Sequence, residues 1–200
     1  MPALSSKMKL ALGGLLALNA VLIAWVIGVA PALEARAKGE IGRGDYALQS
    51  TDGTPFTAAS LVGAPSAVFF GFTYCPDVCP TTIGEVMAWK EDLGGADELN
   101  VFFVSVDPER DTLGVLADYV HWAPGVQGVT GTVEQTDKAI ESFKIYAKKV
   151  QTEDGYTMDH SASVYLFDET GRFVETIRFQ EEHEIAVEKV RALLKMDATS

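Results

Sequence analysis

The chain carries two cysteines, Cys75 and Cys79, inside the segment GFTYCPDVCPTT (residues 71–82), and a proline follows each of them. Two sulfurs at this spacing can form a structural disulfide, act as a redox couple or chelate a soft metal ion. A disulfide would close a loop of five residues. It would remove little entropy from the unfolded chain, because that stabilisation grows with loop length. The disulfide oxidoreductase signature is Cys-x-x-Cys, one residue shorter than the spacing here. With three residues between them, two thiolates can share one soft ion and still lie close enough to oxidise. Soft thiolates favour Cu(I), zinc and iron–sulfur centres. A closed zinc site wants four ligands, so a metal reading needs a further donor from elsewhere.

Three histidines are available. His183 stands among Glu181, Glu182 and Glu184 at a helix start and reads as a solvated surface residue. His121 precedes Trp122-Ala123-Pro124-Gly125 at a helix end, where imidazoles commonly contact unpaired carbonyls. His160 lies in a polar loop, GYTMDHSA, immediately before an apolar strand, flanked by Asp159 and Ser161. Asp159 could orient His160 or simply close a turn. Met158 is a further soft donor nearby, better explained by core packing. Asp77 reads as a solvent-facing turn residue.

The elements that must hold these residues are legible in outline. Residues 66–72 (SAVFFGF) have the length and apolar character of a strand buried on both faces. Cys75 follows that strand closely, and residues 80–93 read as a helix. Sites in open α/β sheets gather beyond the carboxyl ends of strands. Pro80, with no N–H and a fixed φ, suits the first helical position. That makes Cys79 the expected N-cap, where unpaired N–H groups and the helix dipole favour a thiolate. Residues 101–107 (VFFVSVD) form a second buried strand. Helices are expected over 112–120 and over 133–149, the latter with Ile140, Phe143 and Ala147 on one stripe. Asp52-Gly53 signals a hairpin. SVYLFD and RFVETIRF, joined by a turn at 168–171, form another. A last helix spans about 182–195. This succession predicts an α/β sandwich with a mixed central sheet and flanking helices, in the order of a thioredoxin-like fold with added pieces.

An appendage precedes that domain. Residues 10–33 hold no charged side chain, and Asn19 is the one strongly polar interruption. As a helix they would span about 36 Å, against about 30 Å for a hydrocarbon core. Lys7 and Lys9 precede the run and no acid does, which keeps the amino terminus in the cytoplasm. Ala30-Pro31-Ala32 and Ala35-Arg36-Ala37 resemble signal-peptidase sites, but signal h-regions run only about 7–15 residues. The expected organisation is a cytoplasmic segment 1–9, a transmembrane anchor 10–33, a linker 34–45 and an exported domain 46–200. No Arg- and Ser-rich transit peptide is present, which favours a bacterial inner membrane, crossed once, with the domain in the periplasm. Residues 1–38 hold four basic side chains and one acid; the remainder holds twelve basic and twenty-seven acidic ones. So acidic a domain repels phosphate backbones and excludes nucleic acid as a partner.

GFTYCPDVCPTT, VSVDPERDT (104–112) and YTMDHSASVYLFDETG (156–171), in that order, resemble the Sco/SenC family over about residues 40–195. These are membrane-anchored, thioredoxin-fold copper proteins linked to assembly of the binuclear copper site of cytochrome c oxidase. The resemblance implies a copper site made by Cys75, Cys79 and His160, holding Cu(I) with Cu(II) also admitted. The implied partners are the oxidase's copper-site subunit and other periplasmic copper chaperones or thiol reductants. The implied function is copper delivery. The alternative is an enzyme, a periplasmic thiol–disulfide reductase acting through Cys75 and Cys79 on the oxidase's copper-site cysteines. Two features favour the metal. Peroxiredoxins carry Thr or Ser three residues before the reactive cysteine, where this chain has Phe72 and Pro76. Thioredoxin-type oxidoreductases have a late proline facing the cysteines, and the last proline here is Pro124. The chain departs from the family at Leu113-Gly114, where proline and an acid are usual, and in HWAPGVQGVTG.

Overall fold

In the computed structural model, which describes residues 6–197, the apolar amino-terminal stretch is helical. Helix α1 (Ser6–Ala24) passes through a π-helical turn at Trp25–Val29 into α2 (Ala30–Gly39). Gly14–Leu33 is long and apolar enough to cross a membrane, by length and composition. The Asn19 side-chain amide donates to the Leu15 carbonyl at 2.8 Å, so the polar interruption is satisfied inside the helix itself. Where the composition of 34–45 suggested a linker, the helix runs on to Gly39. Ala, Leu, Glu, Arg and Lys are all good helix formers, which is the reason. The expected cytoplasmic segment 1–9 falls partly outside the described residues, as do 198–200 at the other end. The chain divides into two compact units after Gly39.

The second unit is built on a seven-stranded sheet. Strands β1 (Leu48–Ser50) and β2 (Pro55–Phe56) form the expected first hairpin; β3 (Ser66–Gly71) and helix α3 (Val78–Asp92) follow. Then come β4 (Asn100–Ser105), α4 (Leu113–Val120), β5 (Val126–Thr130) and α5 (Val133–Ser142). Strands β6 (Ala147–Thr152), β7 (Gly155–His160), β8 (Ser163–Phe167) and β9 (Phe173–Arg178) precede α6 (His183–Asp197). The strand order is β2-β1-β5-β4-β3-β8-β9. Strands β3, β4 and β5 run parallel at its centre, while β1 against β5 and β8 against β3 are antiparallel. Every residue of β3 is buried, as central strands covered on both faces require. Phe143 is fully buried, with its ring against Phe70 at 5.0 Å and Phe167 at 5.7 Å. Helix α3 packs on α6, and α4 on β5. The mixed sheet with flanking helices is the expected architecture.

Three local expectations are corrected. The helix expected over 133–149 ends at Ser142: Phe143 turns inward at its cap, Lys144 takes a left-handed φ of 54°, and 147–152 becomes β6. The expected loop GYTMDHSA is mostly strand β7, paired with β6 in a separate two-stranded sheet. Strand β5 falls inside HWAPGVQGVTG, where no strand was expected. Its Gly128 explains why it reads weakly: a Cβ there would lie 3.0 Å from both Leu116 Cβ and Thr51 Cγ2.

The topology brings three connections to one end of the sheet. The parallel strands β3 and β4 end at Gly71 and Ser105, with those two residues paired. Strand β8 runs the other way, Val164 opposite Phe69, so its beginning lies at that same end. Segments 72–78, 106–112 and 160–162 therefore meet there.

Candidate metal centre

Cys75 lies in the turn that follows β3, its N–H donating to the Phe72 carbonyl at 3.2 Å. Helix α3 opens earlier than expected, with Asp77 at the cap position and Cys79 already its second residue. Pro80 is tolerated because no N–H in a first helical turn has an intrahelical partner to lose. One of those first-turn donors, the Cys79 N–H, points at Cys75 Sγ, 3.4 Å away. Cys75 is 8% exposed and Cys79 only 1%. Burial pushes the Cys79 thiol well above its usual range, and a hydrogen bond from the Phe72 backbone offsets only part of that. Burial thus works against the thiolate expected from an N-cap position.

His160 is the last residue of β7, not a loop residue, and is half-buried. Its Nδ1 lies 2.9 Å from the Ser161 carbonyl oxygen. A carbonyl can only accept, so Nδ1 is the donor, and it is the neutral ring in this tautomer that offers an Nε2 lone pair to a metal. That Nε2 lies 3.8 Å from Cys79 Sγ. The Phe72 ring meets the imidazole edge-on, centroids 5.7 Å apart. All three donor atoms of Cys75, Cys79 and His160 lie within 4.8 Å of one another. Among the described residues this is the one such cluster of histidine, cysteine and acidic side chains.

The arrangement fits one soft ion. Metal–sulfur and metal–nitrogen bonds of about 2.3 and 2.0 Å, opened to a trigonal angle, put S and N about 3.7 Å apart. The observed separation is 3.8 Å. The site also has room where it needs it. A Cβ on Gly71 would come within 2.6 Å of Cys79 Sγ, so glycine at the end of β3 lets that sulfur sit against the backbone.

The other candidates do not join the cluster. Asp159 is exposed and alternates to the opposite side of β7 from His160, whose Nδ1 is held by Ser161 instead. Met158 packs against the core. Asp77 is exposed and accepts from Thr81 Oγ1 at 3.4 Å. His121 contacts the Asp118 carbonyl at the end of α4, as its position suggested. His183 reaches Asp92 at 2.7 Å on the surface.

The sequence assigned no role to the side chains that frame the cluster. Asp111 is fully buried and accepts from Ser105 Oγ at 2.6 Å, Thr73 Oγ1 at 2.6 Å and the Thr73 N–H at 3.1 Å. Burial raises its carboxyl pKa despite these three donors. Asp107, also buried, accepts from Arg110 Nε and from the Tyr156 hydroxyl at 2.9 Å. Arg110 Nη1 donates to the Tyr156 carbonyl at 3.0 Å. Its guanidinium lies 3.8 Å from the Tyr156 ring centroid and 4.5 Å from that of Tyr74. The available signal was VSVDPERD, whose acids and arginine stand at the end of an apolar strand.

Comparison with known proteins follows the same lines. Residues 34–195 match the SCO1/SenC family. Protein SCO2 of Saccharomyces cerevisiae mitochondria is 33% identical over 163 residues, covering 78% of this chain and 54% of that protein. The chain thus spans about half the length of this yeast relative. The copper-bound structure of Bradyrhizobium japonicum ScoI superposes with a TM-score of 0.70 at 41% identity, covering 77% of this chain and 99% of that one. Copper-bound yeast Sco1 does so at 0.70 and 30% identity, covering 78% and 89%. The fold is the thioredoxin-like one expected.

Proposed function

From the premise that the chain belongs to the SCO1/SenC family, we propose that it is a membrane-anchored copper chaperone. Its cargo is one copper ion, taken up as Cu(I) by the two sulfurs of Cys75 and Cys79 and by His160 Nε2, with Cu(II) admitted by the same donors. Its recipient is the copper-site subunit of cytochrome c oxidase. The observation that carries this reading is the convergence of two buried sulfurs and one lone-pair nitrogen within 4.8 Å. Two thiolates and an imidazole suit a soft cation held at low coordination. Binding must displace the thiol protons, so uptake releases protons and strengthens with rising pH. The apolar helix through Gly14–Leu33 supports anchoring, with the acidic domain on the periplasmic side.

The competing reductase reading needs only the two sulfurs. The structure sets a third donor, His160 Nε2, 3.8 Å from Cys79 Sγ, which disulfide exchange does not require and a three-coordinate soft metal does. A metal ionises the thiol it binds, so the burial of Cys79 is compatible with coordination. The test is Cu(I) titration of the reduced full chain in detergent against a competing chelator, with X-ray absorption on the loaded protein. One Cu(I) with sulfur and nitrogen neighbours is expected. His160→Ala should lower affinity about tenfold or more and leave both cysteines able to cycle between dithiol and disulfide. Copper surrounded only by oxygen and nitrogen would sink the reading.

A further inference from the structure

The third ligand is carried by an element with little support of its own. The β6–β7 hairpin forms a separate sheet, paired with no strand of the main one. Two-stranded hairpins are at best marginally stable alone, so something must fix this one if His160 is to meet the sulfurs. The polar contacts at the far end of β7 from His160 converge on one short segment. Arg110 Nη1 bonds the Tyr156 carbonyl, the Tyr156 hydroxyl bonds Asp107, and Lys149 of β6 pairs with Glu109.

From this convergence we propose that Arg110 is the positioning residue of the metal centre, holding the His160 strand against the cysteine-bearing turn. The proposal rests on the copper reading above. One guanidinium touches both sides: it stacks on Tyr156 of β7 and on Tyr74, the residue before Cys75. It also lies 5.9 Å from the centroid of Phe72, whose ring abuts the imidazole. Asp107, 1% exposed, receives the Nε–H and fixes the guanidinium plane. The next residue, Asp111, grips Thr73 two positions before Cys75. Residues 110 and 111 thus hold the two ligand-bearing segments in one register, although the ligands are about eighty positions apart in sequence. Lysine cannot replace this. An ammonium has no plane to lie between aromatic rings, and no fixed fork to bond a carboxylate and a carbonyl at once.

The test is a double-mutant cycle on the reduced full chain in detergent, with R110K, H160A and the pair compared with the parent for Cu(I) affinity. R110K keeps the charge, so a loss cannot be assigned to electrostatics. Expected are an affinity loss of about tenfold in the parent and less than twofold in the H160A background. X-ray absorption on copper-loaded R110K should show a weakened nitrogen contribution with the sulfur contribution intact. Equal losses in both backgrounds, or no loss in the parent, would overturn the proposal. If H160A alone changes nothing, the copper ligand set is wrong, and the proposal falls with it for a reason visible in that arm. If R110K does not fold, Tyr156→Phe removes the bond to Asp107 while keeping the ring and carbonyl. A smaller loss is then expected that again vanishes with H160A, and its persistence there would overturn the proposal.

Discussion

Gly71 shows how closely single residues set this centre. A methyl group there would meet Phe103 Cε2 at 2.4 Å and Cys79 Sγ at 2.6 Å, both inside van der Waals contact. Phe103 is fully buried, tilted against Phe69 at 5.1 Å and stacked on Tyr119 at 5.5 Å, so neither neighbour can yield freely. Gly71→Ala should cost about 1–3 kcal/mol by overpacking and should weaken Cu(I) binding by displacing the sulfur. Denaturant unfolding and chelator competition check the two effects, and unchanged values in both would show that the contact relaxes without consequence. At this scale the cysteine pair was legible from its spacing, and His160 from the family resemblance; the structure places the three donor atoms within 4.8 Å of one another. The state of Cys79 was not: Pro80 marked a helix start, but only the packing around Gly71 shows a buried thiol. Asp111 and Arg110 were equally hidden, since their partners Thr73 and Tyr156 stand 38 and 46 positions away.

At the scale of elements, β3, β4, β8 and α6 were readable because continuous apolar runs or regular stripes mark them. The failures share a cause. The stripe Ile140, Phe143, Ala147 has helical spacing, yet Phe143 caps α5 and Lys144 turns the chain out of it. The strands that follow face solvent along β6 and are only half-buried along β7, so neither shows a core-strand pattern. An element held by side-chain contacts with another segment leaves little trace in its own sequence. It should also open more easily than the main sheet. Amides of 147–160 are expected to exchange with deuterium much faster than those of β3 and β4, and to slow when Cu(I) binds and ties His160 to the cysteines. Hydrogen-exchange mass spectrometry resolves these peptides. Exchange in the hairpin as slow as in β3, with or without copper, would contradict this.

At the scale of the whole molecule, charge and hydropathy divide at the same place as structure. The apolar helix and its basic flanks end at the first unit, and the acidic surplus belongs to the second. The helix exposes apolar side chains such as Leu15, Leu18, Leu22 and Ile27 on all sides, with no stripe reserved for a protein core. A helix apolar all round needs lipid or protein around it, and its length matches a bilayer. Lys7 and Lys9 stand before it with no acid among them, and the positive-inside rule makes an inward amino terminus the orientation to test. Protein recovered from bacterial membranes should therefore stay in the membrane fraction after high salt and alkaline washing, with residues ahead of position 33 still attached. Protease added to spheroplasts should digest the domain from about residue 40 onward while leaving the helix protected. A mature terminus mapped just after Ala32 or Ala37 would instead mean that the helix served as a cleaved export signal. Protection of the domain in intact spheroplasts would reverse the orientation and place the domain away from the periplasm, where the proposed copper delivery is set.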